Sequence, residues 1–368
     1  MRFLHTADWQ IQMSAAQFGE RAAVVREARF VSLQRLMELA RERACDFVVV
    51  AGDVFDTLDV PDAAVTRVAR ICASFGKPVY LLPGNHDPYV PASLWQKDLL
   101  WRDAPNVTRI ARAEPIAVAD GVTLFPTPLD RKHSSTDATA WIAGVESEGF
   151  RIGLAHGGVL GMGVGSPEHP IARDAAERLR LDYLALGDWH SLLVVPDAAG
   201  APRTVYAGTH EQTAFDDRDP GNAVIVEIDA PGAAPRIEPV RVGELTWHLH
   251  KLDDLAAPAL EALEGTLRAL APRERHLVRV ELAGTLRGEA IDALRALRSL
   301  GDAGLLFFEL VDRGIRSAPD DDAWIERLPH GVLREAAREL RDAAEHDEVA
   351  MDALQALYDL ASAHEEVA

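Results

Sequence analysis

The sequence predicts an α/β protein with a second, smaller α/β unit and a helical tail. Three observations carry this. Over the first hundred or so residues, short apolar β-branched runs alternate with stretches of helical spacing. Strand-like runs then continue, divided by turn signals, as far as Ala223–Val226. Beyond Pro231, Pro235 and Pro239 a fresh strand-helix-strand-helix-strand pattern begins.

Arg2–His5 is the first predicted strand. Residues 20–43 follow with apolar positions Val24, Ala28, Val31, Leu33, Leu36 and Leu39 on a helical period. Phe47–Ala51 is a continuous apolar run, the pattern of a strand covered on both faces. A helix over 61–75 and a buried strand over 78–82 complete the opening alternation. Further strands are predicted at 122–125, 152–155, 183–186, 204–206 and 223–226, and Gly157–Pro170 reads as a glycine-rich loop. The second unit is predicted as strand 246–251, helix 252–270, strand 276–283, helix 287–300 and strand 304–311. Asp320-Asp321-Asp322 marks a hinge before two amphipathic helices, one through Leu328, Val332, Leu333, Ala336 and Leu340, the other through Met351, Leu354, Leu357 and Tyr358. The expected domains are 1–240, 245–315 and 320–368.

The 368 residues carry 38 basic and 58 acidic side chains, a formal net charge of −20. That acidity argues against a broad basic nucleic-acid surface. Half of the excess, however, lies in residues 317–368, with 14 acidic and 4 basic side chains. Hydrophobic content of 48% beside 26% charge excludes a mainly disordered chain. No apolar run approaches the ~18 residues of a membrane span, and the opening lacks a signal pattern, so a cytoplasmic protein without membrane contact is expected. Cys45 and Cys72 are isolated, too few for a disulfide framework or a zinc ribbon, and read as buried thiols.

Five polar clusters follow predicted strands: Asp8-Trp9-Gln10, Gly52-Asp53-Val54-Phe55-Asp56, Gly84-Asn85-His86-Asp87, His156-Gly157 and Gly187-Asp188-Trp189-His190. Ligands gather at the carboxyl ends of strands in open α/β folds, so five such clusters point to one site. Any one of them alone is compatible with a helix cap or a turn. Together they supply the carboxylate, amide and imidazole donors that a pair of divalent ions requires. A carboxylate bridges two ions best, and Asp53 is the candidate. Asp8, Gln10 and His190 complete one ion, and Asn85, His156 and Asp188 the other. Such a pair polarises a phosphoryl oxygen and turns a bound water into a hydroxide nucleophile near neutral pH. His86, beside a ligand, is expected to stabilise the transition state or protonate the leaving oxygen, and Asp87 to hold its tautomer. Arg131, Lys132 and His133 are candidates for backbone phosphate contact, although a solvated loop explains them as well. Trp9 and Trp189 could stack on bases or pack in the core. Asp56 is expected beside the ligands rather than among them, and His210 and Glu211 either line the site or end a strand.

These motifs, in this order over roughly residues 1–230, resemble the calcineurin-like metallophosphoesterase superfamily. His5-Thr6-Ala7-Asp8-Trp9 and Tyr206-Ala207-Gly208-Thr209 resemble its SbcD branch of DNA double-strand-break repair nucleases. The resemblance implies a four-layer αββα sandwich with a βαβαβ capping domain. It also implies metal-dependent DNA phosphodiesterase activity, a homodimer, and tail helices that bind a coiled-coil ATPase of the SbcC type. Two positions depart from the family pattern: Gln10 stands where the first motif carries histidine, and Asp188 where the fifth does. Both replace imidazole with oxygen donors, which favours manganese, then magnesium or ferrous iron, over zinc. The same departures motivate a weakened site that only regulates an ATPase, and the acidity fits a phosphatase or a small-molecule or cyclic-nucleotide phosphodiesterase.

Overall fold

Every residue of Phe47–Val50 is buried, as its unbroken apolar pattern requires. The computed structural model describes residues 1–163, 168–286, 290–317, 323–344 and 346–365. It divides into two compact units, Met1–Thr246 and Trp247–Ala368. The first unit opens with β1 (Arg2–Thr6), α1 (Ala22–Glu42), β2 (Phe47–Val50), α2 (Asp62–Ala73), β3 (Val79–Leu81), α3 (Asp98–Trp101) and β4 (Val107–Arg109). It continues with β5 (Ile116–Ala119), β6 (Val122–Pro126), β7 (Phe150–His156), α4 (Ala175–Arg178), β8 (Tyr183–Gly187), β9 (Leu193–Val195), β10 (Thr204–Tyr206), β11 (Asn222–Glu227) and β12 (Arg236–Arg241).

These strands form two six-stranded sheets, ordered β12-β11-β1-β2-β3-β4 and β5-β6-β7-β8-β10-β9. β1 to β4 run parallel, as do β6, β7, β8 and β10. Side chains alternate across each strand, and that alternation builds the layers. Phe3, Phe47, Val49 and Tyr80 of the first sheet meet Leu124, Ile152, Leu154 and Val205 of the second in one apolar cluster. Their neighbours Leu4, Val48, Val50 and Leu81 face the other way, onto Phe30, Leu33 and Leu36 of α1 and Val65 and Val68 of α2. On the outer face of the second sheet, Phe125, Ala155, Leu184 and Tyr206 pack on Ala175 and Ala176 of α4. The result is the four-layer αββα sandwich, with the carboxyl ends of β1, β2, β3, β7 and β8 supplying one polar site.

Some short strands escape the sequence pattern. β4, β5 and β9 have only three or four residues each, too few to show a period. β12 lies within the proline-bearing stretch where the sequence pattern changes and no strand is predicted. Pro239 is tolerated there because β12 is an edge strand that pairs only with β11, so the missing N–H breaks no inner ladder.

The second unit is built from β13 (Thr246–Leu252), α5 (Ala257–Arg268), β14 (His276–Leu286), α6 (Ile291–Arg298) and β15 (Phe307–Ser317). The sheet order is β13-β14-β15, with β14 and β15 parallel. Leu260, Leu263 and Leu267 of α5 and Leu294 and Leu297 of α6 bury against Val278 and Val280. The tail forms α7 (Ala323–Arg327), α8 (Val332–Ala344) and α9 (Glu348–Glu365). The helix expected through Leu328 and Leu340 is therefore two, because Pro329 disfavours helical backbone at Leu328. Trp324, Ile325 and Leu328 pack with Ala337, Leu354, Leu357 and Tyr358, while Val332, Leu333, Val349, Met351 and Leu360 are exposed. Asp320-Asp321-Asp322 lies outside the described residues. Both cysteines are free and buried, and burial pushes their thiols up, that of Cys45 to about 11. Among the described residues no helix is long and apolar enough to cross a membrane.

Candidate metal centre

The chain turns sharply where β1 ends. Asp8 and Gln10 take φ values of 51° and 44°, and Asp53 and Asp188, after β2 and β8, take 51° and 99°. Non-glycine residues hold such backbone at about 1–3 kcal/mol each, and only where the surroundings enforce it. Here neighbouring backbone does so. Asp8 N donates to Gly52 O at 3.1 Å, Gln10 N to Asp53 O at 3.0 Å and Ile11 N to Val54 O at 3.0 Å. The first two loops thus run side by side.

Asp8, Asp53 and His156 are buried, with ligand atoms all within 4.8 Å of one another. His156 Nε2 lies 3.0 Å from Asn85 Oδ1, 3.5 Å from Asp53 Oδ1 and 3.9 Å from Asp188 Oδ1. Gln10 Nε2 donates to Asp53 Oδ2 at 2.8 Å, and Asp188 N donates to the Asp8 carboxylate at 3.1 Å. Donors from all five strand ends but His190 are placed by these contacts. Burial alone would lower the His156 imidazole, but Asp53, Asp8 and Asp188 raise it to about 9. Nδ1 faces a carbonyl and so donates, to Ala51 O at 2.8 Å, which turns Nε2 towards Asn85 Oδ1 at 3.0 Å. Burial raises the Asp8 carboxyl well above the carboxylate range, His156 opposes this, and Asp53 and Asp188 add to it.

Two glycines make this packing feasible. A Cβ on Gly84 would stand 2.1 Å from Asp53 Oδ1. A Cβ on Gly52, which has φ of +91°, would stand 2.2 Å from His156 Nδ1.

A family model described as calcineurin-like phosphoesterase matches residues 1–192, just over half of the chain. The chain belongs to the calcineurin-like phosphoesterase family. Similar proteins include the SbcD subunit of the nuclease SbcCD from Escherichia coli (strain K12), 28% identical over 155 residues. That match covers 40% of this chain but only 38% of the relative. The uncharacterized metallophosphoesterase YhaO of Bacillus subtilis (strain 168) is 22% identical over 308 residues, 77% of this chain and 72% of the relative. Among solved structures, TT1561 of Thermus thermophilus is 10% identical with a TM-score of 0.42, covering 66% of this chain and 98% of that one. A dimetal phosphatase from Danio rerio is 13% identical with a TM-score of 0.40, covering 64% and 98%.

In this calcineurin-like phosphoesterase the donor set fits divalent cations. Three carboxylates, Asp8, Asp53 and Asp188, crowd one imidazole, and the Gln10 Oε1 oxygen is buried without a hydrogen-bond partner among the described residues. A cation would relieve the first and satisfy the second. His190 stands apart from the tight cluster and is tied to it electrostatically. Burial lowers its imidazole, while Asp217, Asp53 and Asp188 raise it. Its Nδ1 lies 2.7 Å from Thr213 Oγ1. That hydroxyl donates to Asp217 Oδ2 at 2.8 Å, so it accepts from His190 Nδ1–H and leaves the Nε2 lone pair free for an ion.

His86 lies at the rim of this cluster, beside Asp53. Its side chain is 40% exposed, with Nε2 3.9 Å from Asp53 Oδ2. Its orienting partner is not the one expected. Nδ1 donates to the Asp56 carbonyl at 3.0 Å. The Asp87 carboxylate points away, accepting from Gly84 N at 2.7 Å and Phe55 N at 2.9 Å. It therefore stitches the loop after β3 to the loop after β2, because the tight turn at 84–87 directs it back onto backbone N–H groups. Burial, with Asp53 adding to it, pushes the Asp87 carboxyl up to about 8.

Arg131, Lys132 and His133 form an exposed loop. Arg131 Nε pairs with Asp130 at 2.7 Å, His133 pairs with Glu168, and the Lys132 carbonyl accepts from His169 Nε2 at 2.9 Å. None of these contacts brings the loop to the metal centre. Trp9 is wholly buried, with Nε1 on Thr6 Oγ1 at 3.0 Å, and the half-buried Trp189 packs on an apolar cluster. Core packing accounts for both. Glu211 is buried and accepts from Ser32 Oγ and from Leu245 N at 3.0 Å. His210 donates to Arg29 O at 2.9 Å.

Arg29, Thr213 and Asp217 are the supporting residues that motif reading missed. Arg29 is wholly buried. It donates to Trp9 O at 2.8 Å, Gln212 O at 3.1 Å and Thr209 Oγ1 at 3.1 Å. Thr209 Oγ1 in turn donates to Asp8 O at 2.8 Å. The available signal was an arginine on the apolar stripe of α1, four residues after Val25 and four before Leu33.

Proposed function

We propose that this chain is a metal-dependent phosphodiesterase that cleaves DNA in repair. The observation that carries the proposal is one half-exposed imidazole, His86, beside a buried centre of oxygen and imidazole donors from separate strand ends. We assign Asp8, Gln10, Asp53 and His190 to one divalent ion and Asp53, Asn85, His156 and Asp188 to a second. Such ions, when bound, polarise the phosphoryl group and activate water. The chain's own residues do the rest. His86, with Nδ1 committed to Asp56 O, presents Nε2 to the phosphoryl oxygen or to the leaving alkoxide and delivers a proton there. The five oxygen donors among these ligands favour manganese, with magnesium or ferrous iron next.

DNA as substrate is supported by the similarity to the SbcD subunit of the nuclease SbcCD in two species. The working assembly we propose is a homodimer with an SbcC-like coiled-coil ATPase. The exposed apolar residues of α8 and α9, such as Val332 and Met351, support such a helical partner. Cleavage of linear duplex DNA, of a cyclic nucleotide and of a phosphomonoester should be compared with manganese, magnesium and zinc. We expect manganese-dependent DNA cleavage that falls about 10²–10⁴-fold in His86→Gln while bound metal is unchanged. Turnover of the cyclic nucleotide or monoester with none of DNA would overturn the substrate assignment.

A further inference from the structure

The second unit holds a group of histidines that no part of this mechanism uses. His248 and His250 are two residues apart on β13, so their side chains leave the same face of the sheet. His276 begins β14, the neighbouring strand. All three are half-buried. His248 Nε2 faces His276 Nδ1 at 3.0 Å. The His248 and His250 rings stack almost parallel, at an interplanar angle of 11° and a centroid separation of 6.2 Å. His250 Nε2 is buried and has no hydrogen-bond partner among the described residues.

We propose that His248, His250 and His276 form a separate binding site for an imidazole-preferring divalent ion of the zinc class. Two nitrogens on one tetrahedral zinc, each about 2.0–2.1 Å from it, lie about 3.3 Å apart. The His248–His276 pair opens by only a few tenths of an ångström to reach that spacing. His250 is the distant member of the set: its ring centroid lies 6.2 Å from that of His248, and its nitrogen would reach the ion only after its side chain rotates. Three imidazoles and one open position make a familiar zinc donor set. A plain hydrogen bond between His248 and His276 accounts for their separation but leaves the buried His250 nitrogen unexplained. The set contains no carboxylate, so it selects a softer ion than the oxygen-rich centre of the first unit does. The inference does not depend on the phosphodiesterase assignment.

The experiment uses the full chain, stripped by chelation and reloaded with zinc, then dialysed and assayed by elemental analysis. Asp53→Asn removes the carboxylate assigned above to both ions of the first unit and should leave one zinc per chain. X-ray absorption of that zinc should show a nitrogen shell with three imidazoles. Adding His250→Gln should weaken binding at least tenfold, and adding His248→Gln as well should abolish it. Because the absorption measurement is made with all three histidines intact, a folding defect in the glutamine variants cannot mimic its result. An oxygen-dominated shell, or equal zinc retention with and without the histidines, would overturn the proposal.

Discussion

Asp87 decides between two accounts of its loop, and Asp87→Asn followed by Asp87→Ala tests them. The side chain is 0% exposed, and its two oxygens accept from Gly84 N at 2.7 Å and Phe55 N at 2.9 Å. Above about pH 8, where the Asp87 carboxyl is ionised, both oxygens are acceptors, whereas an asparagine has the same shape but one acceptor oxygen, so one of those N–H groups must face an NH₂. A buried donor left unsatisfied costs about 1–3 kcal/mol. Alanine orphans both donors, and two such costs with the void left by the side chain come to about 3–5 kcal/mol. The stitched loops carry Asp53, Asn85 and His86, so loosening them should also weaken metal binding about 10–100-fold, the usual effect of losing support around a ligand. Urea unfolding in chelator gives the first quantity and manganese titration the second. Hydrogen exchange supplies a local readout, since the amides of Phe55 and Gly84 should lose protection. If Asp87 instead acts on His86, the Asn variant should unfold at the wild-type urea concentration, keep both amides protected, and lose activity alone. That result would refute the stitch.

Three further outcomes follow from the same geometry. Gly84→Ala drives a Cβ to 2.1 Å from Asp53 Oδ1. The displaced carboxylate should cost about 10²-fold or more in phosphoesterase activity, and elemental analysis should find less bound metal; wild-type metal content would contradict the clash. Thr213→Val removes the acceptor of His190 Nδ1 and should lower metal affinity about tenfold or more, whereas Thr213→Ser should restore it; calorimetry of manganese binding separates the two. Metal-free protein should become less stable as pH rises. The folded chain holds a proton on His156 up to about 9, against 6.5 for a free imidazole, so this contribution is complete below 6.5 and gone above 9, a change of about 3 kcal/mol. The raised Asp8 and Asp87 carboxyls act in the same direction. Bound metal should reverse the trend, because it takes the deprotonated ligands. Urea midpoints at pH 6, 7.5 and 9, with and without chelator, measure both slopes, and a flat chelated series would contradict the assigned proton.

What the sequence shows and what it hides divide along a physical line. That Asp8, Asp53, Asn85 and His156 come together was legible because a cation site would draw on a few residue types, and strand ends are where an α/β fold collects them. That Phe47–Val50 lies between two covering layers was legible for a similar reason, because a continuous apolar run must be buried on both faces; the αββα order itself came only from the family resemblance. The stitches were not legible, because their acceptors serve backbone N–H groups that every residue carries. Asp87 follows a histidine, so its neighbour in sequence looks like its partner, yet the turn at 84–87 aims it at Gly84 and Phe55. Asp56 supplies the contact Asp87 was expected to make, but through a carbonyl, which side-chain chemistry cannot announce. Arg29 was hidden in a different way. A lone arginine on the buried face of α1 breaks the helix pattern, and its carbonyl and hydroxyl partners lie up to 183 residues away. Pro239 conceals β12: proline is excluded from an inner strand, and only the sheet order reveals that β12 is an edge. Residues that bind a cation are constrained by what they are, whereas residues that hold the binders in place are constrained by where the fold puts their partners. Local violations of pattern, such as Arg29 and Ser32 on an apolar stripe, are therefore the sequence features most worth following when a motif has located a site but not its supports.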